Sequence, residues 1–212
     1  MTNSRKGSPS SKRPYPPEQF TDNLNIKFAP AHDVLGWVKE FLFNEDSKLY
    51  NSDHKHLVDA DVCFLWAPGG FVKAGRVVLG QCEEITFRAG KWQKWRQEEQ
   101  MRDWFGHVPE YLITLDAQYA LKCSDNEFCA LVEHELYHVG HQHGIFGEPL
   151  FNSNGLPKLF LRGHDVEEFV GVVRRYGASK DVEKLIQAAK NAPEVSETSI
   201  AHACGTCLLK VA

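Results

Sequence analysis

Residues 124–138 read Ser-Asp-Asn-Glu-Phe-Cys-Ala-Leu-Val-Glu-His-Glu-Leu-Tyr-His, and the reading of this stretch sets the rest. Ser124 followed by Glu127 is a capping-box pattern, in which each side chain satisfies a backbone N–H that a helix start would leave unpaired. Phe128, Val132, Leu136 and Val139 then recur at helical spacing and form one apolar stripe. The pattern predicts a helix from 125 to about 142, ending near Gly140 or Gly144. On such a helix His134 and His138 lie one turn apart on one face, away from the apolar stripe.

Two imidazoles so placed can converge on a zinc ion, and Glu135 beside them can take a proton from a water bound to the metal. A hydrolytic zinc site usually has three protein ligands and an open position. His164 is the expected third ligand, at the start of a helix predicted over 165–176. Glu167 and Glu168 are the alternatives to it. His141 and His143 follow at the wrong spacing for the extended histidine signature of metzincins and are expected to border the site rather than bind. Tyr176, Arg174 and His143 are candidates for stabilising an oxyanion.

Working outward, Val34, Leu35, Val38, Phe41 and Leu42 after Pro30 predict a leading helix. Residues 61–67 and 75–80 read as strands bounded by turn residues and are expected to pair with each other. Residues 111–115 read as a third strand, expected to align an extended substrate by backbone pairing. Between the last two lies a helical insertion over about 91–105, whose Trp92, Trp95, Met101 and Trp104 are expected to cover part of the core. Its interleaved bases and tryptophans, Arg88 to Arg96, also suit stacking of single-stranded nucleic acid, but Glu98 and Glu99 follow at once and would repel phosphate. Ser179 caps a last helix to about Asn191, before Pro193.

The order Gly-Arg-Val-Val-Leu-Gly (75–80), His-Glu-Leu-Tyr-His (134–138), His-Asp-Val-Glu-Glu-Phe (164–169) and Arg-Arg-Tyr-Gly (174–177) resembles the putative phage metallopeptidase family over roughly residues 30–177. More distantly the chain resembles SprT-like proteases, although here Asp165 follows the later histidine and Phe169 is five residues on. The resemblance implies a small zincin fold and a zinc-dependent peptidase, and says little of substrate. The insertion at 88–105, a basic arm and a C-terminal extension depart from the family's pattern.

Composition agrees with one α+β domain. The 212 residues are 42% hydrophobic and 25% charged, ordinary for a soluble globular chain. No apolar run of transmembrane length is present, and the first twenty residues hold no signal-like apolar stretch. A cytoplasmic location is expected, in a bacterial host if the chain is phage-encoded. Residues 1–17 carry Arg5, Lys6, Lys12 and Arg13 and no acid, so this +4 arm leaves the rest at −8 against the chain's −4. A large nucleic-acid footprint is not expected from that balance.

The expected organisation is a disordered basic tail over 1–24, a zincin-like domain over 25–192 with a leading helix, a small mixed or antiparallel sheet, the active-site helix and two C-terminal helices, and an extension over 193–212. Cys63, Cys82, Cys123 and Cys129 are expected to be buried free thiols. Cys204 and Cys207 form a lone C-x-x-C beside His202, half of a zinc ribbon, and read as a terminal thiol pair. The functional expectation is peptide-bond hydrolysis with one catalytic Zn²⁺ and a protein or peptide substrate. The alternatives are a metal-bearing binding protein for host or nucleic-acid partners, and a zinc hydrolase of a non-protein amide.

Overall fold

The computed structural model describes residues 13–21, 27–73, 75–166 and 169–195. The fold is a mixed α+β arrangement around a four-stranded sheet, ordered β1-β2-β6-β5. β1 (Ala29–Pro30) runs antiparallel to β2 (Val62–Ala67), β2 parallel to β6 (Tyr111–Asp116), and β6 antiparallel to β5 (Gly80–Glu84). β3 (Phe71–Lys73) and β4 (Arg76–Val78) form a separate ribbon that turns at Gly75, with φ +76°. Residues 61–67 and 75–80 therefore do not pair as the sequence suggested. β6 lies between β2 and β5.

Both faces of this sheet are covered, which is why β2 and β6 read as nearly unbroken apolar runs rather than alternating ones. Phe64, Trp66, Ile113 and Leu115 face α1 (His32–Phe41) and α4 (Asp125–Tyr137), where Val34, Trp37, Val38, Phe128, Leu131, Val132 and Leu136 complete the main core. Cys63, Leu65 and Leu112 point the other way, toward Met101, Trp104 and Phe105 of α2 (Lys91–Phe105). Each fully buried large side chain contributes on the order of 1.5–3 kcal/mol, so the α4 stripe fixes that helix firmly on the sheet. The expectation for α2 holds in half: Met101 and Trp104 pack inward, but Trp92 and Trp95 are exposed. Glu98 pairs with both Lys94 and Arg102 along the same helix.

The basic arm is not solvated throughout. Arg13 is 3% exposed and Phe20 is buried. The Arg13 guanidinium donates to the carbonyls of Ala120 and Cys123 at 2.8 and 2.7 Å and to Asp125 Oδ1 at 2.8 Å. It thereby joins the end of the short helix α3 (Ala117–Lys122) to the first turn of α4. The unpaired carbonyls at a helix C-terminus attract a cation in this position. Residues 1–12, and the pair Cys204 and Cys207, lie outside the described residues.

The C-terminal part differs from expectation in two places. α4 ends at Tyr137 with His138 as its C-cap, and residues 139–141 form β7 (Val139–His141), paired antiparallel with β8 (Leu159–Leu161). Gly140 weakens any further helical turn, while Val139 gains burial in the strand. Gly140 also faces Phe160, and a Cβ there would stand 2.8 Å from its ring. The following helix, α5 (Val170–Tyr176), starts five residues later than the periodicity predicted, leaving His164 and Asp165 in a non-helical connection. α6 (Lys180–Lys190) is capped by Ser179 as expected. No helix among the described residues is long and apolar enough to cross a membrane.

Candidate metal centre

The site begins with the start of α4. Ser124 Oγ accepts from the Glu127 N–H at 3.3 Å, and Glu127 Oε2 accepts from the Ser124 N–H at 2.8 Å, so the predicted capping box is formed. With this end capped and the apolar stripe buried, the phase of the helix is fixed. His134 and His138 then emerge together on its far side.

The end of α4 completes the arrangement. The His138 carbonyl accepts from the Arg162 N–H at 2.8 Å, and the His138 ring Nδ1 donates to the Arg162 carbonyl at 2.8 Å. These two bonds tie the helix end to the strand end of β8. Two residues later, His164 swings back toward α4. Its Nε2 lies 3.1 Å from His134 Nε2, and His138 Nε2 lies 3.4 Å from the same atom. The ligand atoms of all three imidazoles fall within 4.8 Å of one another.

The donor set fits a metal ion. Zinc–imidazole bonds of about 2.0–2.1 Å in a tetrahedron put two nitrogens about 3.3 Å apart, close to the separations found. The bond from His138 Nδ1 to a carbonyl places its proton on that nitrogen and leaves the Nε2 lone pair for the metal, a common orienting device for metal-bound histidines. Three imidazole nitrogens this close to one another suit a shared cation.

The three nitrogens open into a recess of about 310 Å³, also lined by Asp53, Tyr137, Arg162, Gly163 and Asp165. Tyr137 follows His134 by three residues, so its place on the ligand face was readable from spacing. Asp53 and Arg162 come from elsewhere in the chain and left no such signal. The Tyr137 hydroxyl donates to Asp53 Oδ2 at 2.9 Å and accepts from Asn51 Nδ2 at 3.0 Å. Burial pushes this phenol up to about 12, so it stays a donor near neutral pH. Arg162 pairs with Asp165 at the rim.

Glu135 is fully buried and is not among the residues that line the recess. Its carboxyl lies against Gly80 of β5, where a Cβ would stand 2.6 Å from Oε1. The contact of Gly80 with Glu135 joins residues 55 positions apart, a relation that local spacing does not show.

The remaining candidates fall elsewhere. His143 is exposed and lines a second, larger groove of about 830 Å³ with His56, His141, Phe151 and Phe160; this groove shares Asp53, Tyr137, Arg162 and Asp165 with the recess. His141 donates through Nε2 to the Leu150 carbonyl at 2.8 Å and stacks on His56. Tyr176 and Arg174 are exposed on α5 and line neither recess nor groove. Glu167 and Glu168 lie outside the described residues.

A helix-borne His-Glu-x-x-His joined by a histidine from a later connection defines a zincin-like arrangement. The chain belongs to the putative phage metallopeptidase family, whose model matches residues 35–190. Searches of curated proteins and of solved structures gave no significant match.

Proposed function

We propose that this chain is a zinc-dependent metallopeptidase that hydrolyses peptide bonds, with His134, His138 and His164 as metal ligands and Glu135 as general base. The observation that carries this reading is the convergence of three imidazole nitrogens within 4.8 Å on the helix that also bears Glu135. Zinc held there would supply Lewis-acid chemistry, polarising a carbonyl and making water acidic enough to lose a proton near neutral pH. Glu135 accepts the proton of the attacking water and passes it to the leaving amine, so no net proton is consumed at the carboxylate. Tyr137, kept protonated, lines the recess, but its one hydroxyl proton goes to Asp53, so it would serve an oxyanion only by exchanging that acceptor. Tyr176 and Arg174 line neither the recess nor the groove.

The strand suited to align a substrate also changes. β6 is flanked by β2 and β5, so it has no unpaired edge for an added strand. β5 ends the sheet, and Gly80 on it touches Glu135. An extended peptide added at β5 would run close to the base. The groove shared with the recess supplies room for side chains, with Phe151 and Phe160 as apolar walls.

The test is a comparison of the zinc-loaded chain with its Glu135→Gln variant on an unbiased peptide library, read by mass spectrometry of new termini. Cleavage by the parent and its loss in a variant that still holds one equivalent of zinc are expected. Equal cleavage by both, or none by the loaded parent, would overturn the reading.

A further inference from the structure

Asp61, Cys63 and His107 bring a second set of metal-ligating atoms within 4.8 Å of one another, on the face of the sheet that α2 covers and not on the α4 face. Asp61 immediately precedes β2 and Cys63 is the second residue of that strand. His107 follows Gly106, whose left-handed backbone, φ +79°, ends α2 and turns the chain back toward the sheet. Two stretches of chain, the start of β2 and the turn after α2, therefore deliver the three side chains.

Each ligand is also oriented by the backbone. The Glu110 N–H donates to Asp61 Oδ2 at 3.2 Å. His107 Nδ1 donates to the Phe105 carbonyl at 3.1 Å. These bonds occupy the outer atom of each group and turn Asp61 Oδ1 and His107 Nε2 toward each other at 2.7 Å, with the Cys63 sulfur completing the triangle. An ion pair accounts for Asp61, His107 and the Phe105 carbonyl, because a protonated imidazole donates from both nitrogens, but it gives no role to a thiol at the same point. Outer-atom hydrogen bonds of this kind fix ligands in metal sites.

We propose that Asp61, Cys63 and His107 form a second divalent-metal site, suited to zinc and separate from the three-histidine centre. One thiolate, one imidazole and one carboxylate make a borderline-soft donor set, which favours zinc over magnesium or calcium. Cys63 is buried against Leu65 and Leu112, whereas the Asp61 and His107 side chains are about half exposed, so the cation enters from solvent and keeps a position open on that side. The carboxyl of Glu110 lies near Asp61 and favours a cation there.

Cobalt reports the site directly, because a thiolate ligand gives a charge-transfer band in the near ultraviolet that an all-histidine site does not. The experiment uses the full chain carrying Cys204→Ser and Cys207→Ser, which removes the terminal thiol pair as a competing source of the band. Titration with Co²⁺ should show two equivalents bound and a charge-transfer band. His107→Ala, at an exposed position that leaves the core untouched, should lose one equivalent and the band. Cys63→Ala should do the same. His134→Ala with His138→Ala should lose the other equivalent and keep the band. No band in the parent, or a band that survives His107→Ala, would overturn the proposal; a single equivalent whose band is lost in His107→Ala would instead overturn the three-histidine centre.

Discussion

Gly80 and Glu135 are in contact across two elements: the backbone of β5 passes so close to the carboxyl on α4 that a Cβ at residue 80 would lie 2.6 Å from Oε1. Only hydrogen fits between them. Gly80→Ala must push Glu135 aside while leaving the three imidazoles in place. A displacement of about 1 Å at a reacting group can cost on the order of 100-fold. The expected outcome is a fall of that size in kcat with zinc stoichiometry unchanged, measured by steady-state cleavage and metal analysis on the same preparation.

The three-histidine centre predicts a ranking of metal loss. His164→Ala should weaken zinc by more than the 10–100-fold that follows loss of an outer-sphere partner, whereas Glu167→Ala and Glu168→Ala should leave affinity within a few-fold of the parent. Competition against a chromogenic chelator gives the three values. A large effect at either glutamate and none at His164 would move the third ligand to that residue.

Metal should also stabilise the folded chain. Free zinc at about 100 times its dissociation constant adds about 2.7 kcal/mol to a state that alone binds it. Chelation is expected to lower the melting temperature of the parent, and to change little in a His134→Ala, His138→Ala variant that also carries His107→Ala. Differential scanning fluorimetry with and without chelator reads this difference.

Arg13, the one cation of the basic arm among the described residues, has a structural consequence. Its charge-assisted bonds to Ala120 O, Cys123 O and Asp125 are worth roughly 1.5–3 kcal/mol each when buried partners are left unpaired, although water can replace part of this. Arg13→Ala is expected to cost about 2 kcal/mol, or about 4–8 °C in Tm. Mutating Arg5 or Lys6 should cost nothing measurable by the same thermal melt if the stabilising role belongs to Arg13 alone.

Acid sensitivity follows from His54. It is fully buried beside Tyr137 and Phe43, with no hydrogen-bond partner on either ring nitrogen among the described residues. Burial, helped by the nearby His56 and opposed by Asp53, pushes its pKa down from 6.5 to about 4. The unfolded chain binds this proton first as pH falls, so the contribution is intact above about 6.5 and is lost on acidification toward 4. The full loss is about 3 kcal/mol. Urea unfolding at pH 7 and pH 4.5 should show reduced stability at the lower pH, and His54→Leu should flatten that slope.

Much of the fold was readable because local signals and burial agreed. The capping box, the α4 stripe, α1, α6 and the limits of α2 depend on spacing within one element, and each is found where spacing put it. The three histidines were readable because chemistry limits what can complete a His-Glu-x-x-His pair. What escaped depends on partners far along the chain. The end of α4 is set by β8, twenty residues away, and helical periodicity through Val139 gave no hint of it. β6 could not be placed at the centre of the sheet without knowing that both its neighbours were strands. Arg13 looked like one basic residue in a Ser/Pro-rich arm, because its three acceptors lie more than a hundred positions away.

The β7–β8 pairing has a consequence for how such a site can diversify. His138 and His164 are separated by a long excursion, yet the ladder Val139↔Leu161, Gly140↔Phe160 and His141↔Leu159 closes that excursion at its base. Everything from Gln142 to Lys158 is an arm outside the clamp, and its tip presents Ile145 and Phe146 almost wholly to solvent. Insertions, deletions or exchanged sequences in the arm can reshape the groove wall without altering the spacing of the three imidazoles. The clamp separates the part of the chain that fixes the three imidazoles from the part free to change the shape of the groove.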